Sequence, residues 1–218
     1  METITVTRIS QTKRGRFALF CGEEFLFSVD SETFFAERLA EGREFEPAEL
    51  DELRAKSDTR KAKDKALQYL SLRDYASGEL YDKLCLKFDP HSAAAAVAKM
   101  GELGLLNDEA FARHRAKYLL GQNKSRSQIA RHLAEKGVDR ATVDAVLAEF
   151  YEDAVCGGEE LPPDAAAALR LVEKSYGRRL AEGKRENVLA ALARRGFSLR
   201  DARAAIERWQ QENPGEGE

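Results

Sequence analysis

The residue types that most often carry out chemistry are few in this chain of 218 residues, and they lie far apart. Its cysteines and histidines are Cys21, Cys85, Cys156, His91, His114 and His132. None has the short C-x-x-C or helical histidine spacing that binds zinc, and three distant cysteines do not make a disulfide framework. The sequence therefore predicts reduced thiols, no metal site and no cofactor.

Adjacent carboxylates occur at Glu23-Glu24, Asp51-Glu52 and Glu159-Glu160. Sequence neighbours point in different directions, so these pairs do not indicate acid and base catalysis. The run from Gly101 to Gly104 follows a helical pattern, whereas a phosphate-binding loop follows a strand. No nucleophile elbow, H-E-x-x-H or Walker motif is present. We therefore predict that the protein is not an enzyme.

Clusters of arginine and lysine are the remaining candidates for a functional site. Guanidinium groups form paired hydrogen bonds with phosphate or carboxylate, so such clusters can bind a nucleic acid backbone or an acidic protein. Ordinary solvated helix faces are the open alternative, since exposed charge is common there. The candidate contact residues are Lys13, Arg14, Arg16, Arg113, Arg115, Lys117, Lys124, Arg126, Arg131, Arg178, Arg179, Lys184, Arg185, Arg194, Arg195, Arg200 and Arg203.

Composition limits the class of protein. Hydrophobic residues make up 43% of the chain, which suffices for a packed core, and the net charge is -3. No run approaches the roughly 18 to 20 apolar residues of a membrane span, and the first residues lack the apolar core of a secretory signal. We therefore expect a cytoplasmic protein without membrane contact, in which positive charge collects towards the C-terminus.

The first 58 residues are typical of a small α/β segment. Residues 4–9, 17–21 and 25–29 favour strands, and Gly22 predicts a hairpin between the last two. Beyond residue 59 the strand signals disappear and the signals for helix starts recur. Each start has a side-chain oxygen that can accept a free amide of the first turn. These predicted N-caps are Ser77, Asp89, Asn107, Ser125 with Gln128 as a capping box, Asp139, Asp164 and Ser198.

The helical region repeats one pattern three times. Its mark is an apolar i, i+4 pair, found at Leu80/Leu84, Ile129/Leu133 and Val188/Leu192. Gly137 and Gly196 follow the last two pairs, where a left-handed helix end favours glycine, whereas the first copy has Phe88-Asp89-Pro90. A further helix precedes each copy, so the predicted unit is three helices. The predicted boundaries are 1–58 for the strand and helix segment, 59–106, 107–155 and 164–213 for the repeats, 156–163 for an acidic Gly/Pro loop and 214–218 for a flexible tail.

Several short runs are similar to those of a known family. The most specific is G-E-L-G-L-L-N-D-E-A-F-A-R at 101–113, and the others are R-G-R-F-A-L-F-C-G-E-E at 14–24, K-A-L-Q-Y-L-S-L at 65–72, S-G-E-L-Y-D-K-L at 77–84, A-E-K-G-V at 134–138 and A-R-R-G-F at 193–197. With these runs almost the entire chain resembles the RecX family, bacterial regulators of the RecA recombinase. The resemblance implies a mainly α protein, with a small N-terminal α/β segment followed by three tandem three-helix repeats in an elongated, curved array.

The same resemblance implies a function and a partner. A RecX protein is expected to bind the RecA filament on DNA and to restrain its ATP turnover, filament growth and strand exchange, in recombination, DNA repair and the SOS response. It implies no catalytic residues. We further expect weak or indirect contact with single-stranded DNA and a monomeric protein. The main alternative is a direct DNA-binding protein, since three-helix units with basic helices can also read a major groove.

Overall fold

A computed structural model describes residues 3–156 and 161–214 of the chain. They form a mainly helical protein with small β-sheets near the N-terminus, as the sequence predicts. Contacts divide it into two compact units, Met1–Tyr75 with Glu79–Leu106, and Ala76–Gly78 with Asn107–Glu218. In the part of the chain that the structure describes, no helix combines the length and the apolar character that crossing a bilayer requires.

The N-terminal elements are β1 Ile4–Thr5, β2 Arg8–Gln11, β3 Phe17–Cys21, β4 Glu24–Val29, α1 Ser31–Ala36 and β5 Glu44–Phe45. The strands form two antiparallel sheets, one of β2, β3 and β4 in that order and one of β1 and β5. The predicted hairpin is confirmed, because β3 pairs with β4 and Gly22 turns between them with φ +63°. The short helix α1 follows the hairpin. The core of this N-terminal segment contains Val6, Leu19, Phe27, Val29, Leu39 and Phe45.

The predicted boundary between residues 58 and 59 falls inside one continuous helix, α2 (Pro47–Leu70). The run from Ala55 to Lys65 contains neither Gly nor Pro, so nothing in it ends a helix. Buried Ser57 donates to the Ser28 carbonyl (2.7 Å), which ties α2 to β4. The helix therefore packs on the sheet with its first half, while its second half shares a core with the two helices that follow, α3 (Ser77–Cys85) and α4 (Pro90–Glu102).

The second unit consists mainly of helices: α5 (Asp108–Gly121), α6 (Arg126–Glu135), α7 (Arg140–Cys156), α8 (Pro163–Ser175), α9 (Gly177–Ala181), α10 (Arg185–Arg194) and α11 (Leu199–Glu212). Helices α5 to α7 follow the predicted three-helix pattern. The third repeat differs, because its first helix breaks at Tyr176 and continues as the short α9. Part of the predicted acidic loop, 157–160, and most of the predicted tail, 215–218, lie outside the described residues.

The residues that define the repeat occupy equivalent places. All six members of the predicted i, i+4 pairs are fully buried, at 0% exposure. Gly137 and Gly196 end α6 and α10 in the left-handed conformation, with φ +75° and +81°, as predicted. The next residue in each case, Val138 or Phe197, donates its N–H back to the carbonyl of the buried leucine five residues earlier. Each of these two repeats has its own apolar core.

Five predicted N-caps accept hydrogen bonds from the first turn of their own helix, namely Asp89, Asn107, Ser125 with its Gln128 box, Asp139 and Ser198. Two such predictions were wrong, because another helix is involved. Ser77 is the first residue of α3, and its N–H donates to the carboxylate of Asp108 (2.7 Å). Asp164 lies inside the first turn of α8, since Pro163 already fits the first helical position. Its carboxylate instead accepts a hydrogen bond from the N–H of Arg126, the first residue of α6.

Candidate interaction surface

The N-terminal basic cluster has two exposed members and one internal member. Lys13 and Arg14 lie exposed in the turn between β2 and β3. The guanidinium of Arg16 donates to the Ser28 carbonyl (3.0 Å) and to the Ser57 hydroxyl (2.9 Å). Arg16 therefore fastens β4 to α2, and the outward charge of this cluster comes from Lys13 and Arg14.

The α5 cluster is largely engaged inside the second repeat. Arg113 forms an ion pair with Glu149 on α7 (2.9 Å), and this hydrogen bond raises the pKa of Arg113 and lowers the pKa of Glu149. Arg115 Nε donates to His132 Nε2 on α6 (2.9 Å). Lys117 is exposed. The two arginines thus hold α5 against α6 and α7, while Lys117 faces solvent.

A shallow cavity of about 240 Å³ lies beside α6. Its walls include Lys124 and Arg131 from the predicted clusters, together with Glu135. Because a carboxylate lines the same cavity, its positive charge is partly neutralised there. This cavity is a weaker candidate for binding an anion than a cavity lined by cations alone.

The start of α6 and the end of α10 are in contact, although 70 residues separate them in sequence. Buried Ser125 donates its hydroxyl to the Arg195 carbonyl (2.8 Å). The carboxylate of Asp164, only 7% exposed, accepts from the Arg126 N–H at 2.9 and 3.2 Å. A helix start has free amides and a partial positive charge, which a carboxylate satisfies. These contacts of Ser125, Arg126, Asp164 and Arg195 form what we call the repeat joint.

The repeat joint brings two predicted basic clusters together. Lys124 and Arg126 stand on either side of Ser125, and Arg194 and Arg195 stand at the end of α10. Because the Ser125 hydroxyl touches the Arg195 backbone, the basic residues of the second and third repeats lie on neighbouring segments. No short-range pattern in the sequence could have indicated this proximity.

A groove of about 410 Å³ lies beside α10 in the third repeat. The residues that line it are Arg179, Lys184, Asn187, Ala190 and Arg194. Three of these side chains carry positive charge, one is an amide, and one is a methyl group. We call this feature the α10 groove, and no carboxylate is among its lining residues.

Internal ion pairs divide the cations of the third repeat into two classes. Arg178 and Lys184 pair with Glu182 (3.1 and 2.7 Å), and Arg185 pairs with Glu207 (3.2 Å). Within residues 3–156 and 161–214, the other five predicted contact residues of this repeat form no ion pair: Arg179, Arg194, Arg195, Arg200 and Arg203. All five are exposed, so their charge is available to a binding partner.

Exposed leucines in the first unit are candidates that the sequence reasoning missed. Leu103 and Leu105 are 53% and 48% exposed in the turn after α4. Both lie inside the 101–113 run that carries the family resemblance most specifically. Leu103 continues the helical spacing of Ala96 and Met100, so periodicity does not mark it as exposed; α4 ends one residue before it, at Glu102. Further exposed leucines of this unit are Leu67, Leu72 and Leu86.

The described residues offer donors and charge for binding. Across 3–156 and 161–214, no group of three or more His, Cys, Asp or Glu side chains is placed to hold a metal ion. Cys21 and Cys85 are half-buried free thiols. What the surface presents is therefore a set of unpaired guanidinium groups around α9, α10 and α11.

Two family models match the helical repeats. The model of the first RecX three-helix domain matches residues 62–100, and the model of the second matches residues 107–147. A protein of Lactobacillus delbrueckii subsp. bulgaricus called regulatory protein RecX is 31% identical over 208 residues, which are 93% of this chain and 73% of that protein. A regulatory protein RecX of Bacillus velezensis is 28% identical over 217 residues, 98% of this chain and 80% of the relative.

Solved structures share the fold. The crystal structure of a regulatory protein RecX aligns with a TM-score of 0.63 at 20% identity, covering 93% of this chain and 98% of the other. The RecX structure from Lactobacillus salivarius aligns with a TM-score of 0.59 at 22% identity, covering 71% and 97%. From its identity to the Lactobacillus delbrueckii relative, with support from the two domain models, we conclude that this chain belongs to the RecX family of regulatory proteins.

Proposed function

We propose that this protein regulates a RecA recombinase by binding the RecA filament on DNA. Its main effect would be to inhibit ATP hydrolysis, filament growth and strand exchange, in recombination, DNA repair and the SOS response. It would act as a cytoplasmic monomer and would not itself catalyse a reaction. The proposal is supported by membership of the RecX family and by the unpaired cations of the second unit.

The repeat joint is the observation that carries the proposal. A filament presents the same protomer surface at regular intervals, so a regulator benefits from binding groups on more than one of its own repeats. The hydrogen bond from the Ser125 hydroxyl to the Arg195 carbonyl holds the segments that carry the basic residues of α6 and α10 next to each other. Fixed groups lose less conformational entropy on binding than flexible ones do.

Inhibition follows if the regulator prefers one state of the filament. A ligand shifts an equilibrium only by its difference in affinity for the two states. Whether two contacts can form at once on neighbouring protomers depends on the spacing of those protomers. The total binding free energy of the two contacts therefore differs between filament states. Binding of this kind slows turnover without any chemistry by the regulator.

The test is DNA-dependent ATP hydrolysis by RecA in the presence of the purified protein. We expect a fall in the rate at substoichiometric to equimolar amounts, and no hydrolysis by the protein alone. A double variant, Arg194→Glu with Arg195→Glu, should need well over tenfold more protein for the same inhibition. The matched control is Lys87→Glu with Lys174→Glu, which makes the same change in net charge at exposed lysines outside the joint.

The melting temperatures of both double variants should match that of the parent, because exposed charges contribute only about 0.5 kcal/mol or less to stability. Unchanged RecA activity at saturating protein would reject the proposal. An equal loss of inhibition in the control would show that net charge matters and the joint does not.

Direct binding to duplex DNA is the second candidate. Arg200 and Arg203 are exposed in the first turns of α11, the helix that follows the Gly196 turn. In helix-turn-helix proteins the first turns of the second helix contact base edges in the major groove. Titration of bare duplex at physiological salt separates the two: tight binding abolished by Arg200→Glu with Arg203→Glu would favour this candidate over the filament regulator.

A further inference from the structure

The α10 groove follows the direction of its helix. Lys184 precedes the first residue of α10 and Arg194 is its last residue, so ten residues, or about 15 Å, separate them along the axis. Asn187 and Ala190 lie between them on the same wall, and Arg179 comes from α9. The groove therefore presents its donors along a line, which suits a ligand with several anionic groups in a row.

The ring of Tyr176 restricts two arginines at and beside the groove while their charge remains available. Arg179 and Arg195 each lie with the guanidinium carbon 5.8 Å from the centre of the Tyr176 ring. A cation near an aromatic face is attracted to it, which restricts the side chain without neutralising it. Of the groove cations, Lys184 has an ion pair with Glu182, whereas Arg179 and Arg194 have none with any described residue. Two guanidinium groups without an ion pair to a described residue, those of Arg179 and Arg194, thus line the groove, and Tyr176 restricts the first of them.

The lining argues for phosphate and against a protein segment. Protein partners are held mainly by aromatic or aliphatic anchors that fill apolar pockets. The apolar part of this groove is the methyl group of Ala190. Guanidinium, ammonium and amide groups instead match phosphate oxygens, and backbone phosphates of a single strand recur along a line.

We propose that the α10 groove binds the sugar-phosphate backbone of single-stranded nucleic acid. The proposal rests on the proposed function for its setting, since a RecA filament contains a single strand. The strand would lie along α10, with one phosphate near Lys184 and another near Arg194. Beyond Arg194 it would meet the repeat joint, where Arg195 and Lys124 extend the positive charge.

The test is a titration of the full chain against a fluorescent oligothymidylate, followed by anisotropy, with no recombinase present. We expect weak binding whose logarithm falls with the logarithm of salt at about -0.7 per phosphate contact, hence roughly -2 for three contacts. Arg179→Glu with Arg194→Glu should raise the dissociation constant more than tenfold. The control, Lys87→Glu with Lys174→Glu, should change it less than twofold.

Polyglutamate serves as the acidic-protein competitor at the same concentration of charge. Displacement of the oligonucleotide by polyglutamate as effectively as by unlabelled oligothymidylate would overturn the proposal, and so would equal losses in the groove and control variants. Failure of the oligonucleotide to bind would overturn the groove proposal alone, because inhibition of RecA is measured separately. Absence of RecA inhibition with intact oligonucleotide binding would reject only the proposed function.

Discussion

Replacing Gly196 by alanine should open the repeat joint. The residue has φ +81°, a conformation that costs an ordinary L-residue about 1 to 2 kcal/mol. The new methyl group would lie 2.9 Å from the Ser125 hydroxyl oxygen and 3.2 Å from Ser127 Cβ. The hydroxyl cannot turn away freely, because it donates to the Arg195 carbonyl. Overpacking together with loss of that bond adds roughly 2 to 3 kcal/mol, for a total of about 3 to 5 kcal/mol.

Gly183→Ala is the matched control for this substitution. Gly183 also has a positive φ, +72°, but nothing lies within 4 Å of the position that a methyl group would take. Its cost should be the backbone strain alone, about 1 to 2 kcal/mol. Urea unfolding followed by fluorescence of Trp209, the single tryptophan and part of the third-repeat core, measures both variants. Equal losses of unfolding free energy would refute the close contact between the repeats.

Four further substitutions test other parts of the fold. Leu133→Ala should lower the unfolding free energy by about 2 to 5 kcal/mol, because the side chain is fully buried. A denaturant titration that gave a loss well below this range would contradict that burial. Gly78→Ala should destabilise the protein, because its methyl group would lie 2.6 Å from the Cα of Gly137. Gly101→Ala has open space around the new methyl group and should raise the unfolding free energy by about 0.5 to 1 kcal/mol in the same titration. Hydrogen bonds from the hydroxyl and amide of Ser92 lower the pKa of Asp89. The ionised carboxylate therefore adds to the unfolding free energy at neutral pH, and this contribution is lost as pH falls below about 4. Asp89→Asn should flatten that acidic part of the curve of unfolding free energy against pH.

The repeat itself could be predicted because its signals are local. The buried pair Ile129 and Leu133 follows the helical period, and Gly137 stands where the left-handed helix end needs it. Local reasoning was wrong for Asp164, because a short acidic residue at a helix start normally caps its own helix. In this fold α8 begins at Pro163, one residue before Asp164, so Asp164 cannot be its N-cap. The buried carboxylate accepts a hydrogen bond from the first residue of α6 instead.

The candidate surface was only partly predictable for a related reason. Sequence clustering identified the arginines, but it could not tell a bonded one from an available one. Arg16 and Arg113 find partners 41 and 36 residues away, at Ser57 and Glu149, and both become structural. Availability of charge is thus decided by contacts between distant segments, which one sequence does not display.

The cap that Asp164 on α8 supplies to α6 makes the second repeat depend on residues synthesised after it. The free amide at the start of α6 receives its carboxylate only after residue 164 has left the ribosome, and the Ser125 hydroxyl receives its acceptor only after Arg195 has followed. A chain that ended between Cys156 and Asp164 would therefore keep residues 107–155 and still lose the groups that complete the start of α6. For the same reason, exchanging third repeats between relatives should succeed only when Asp164 and the start of α6 are exchanged as a matched set.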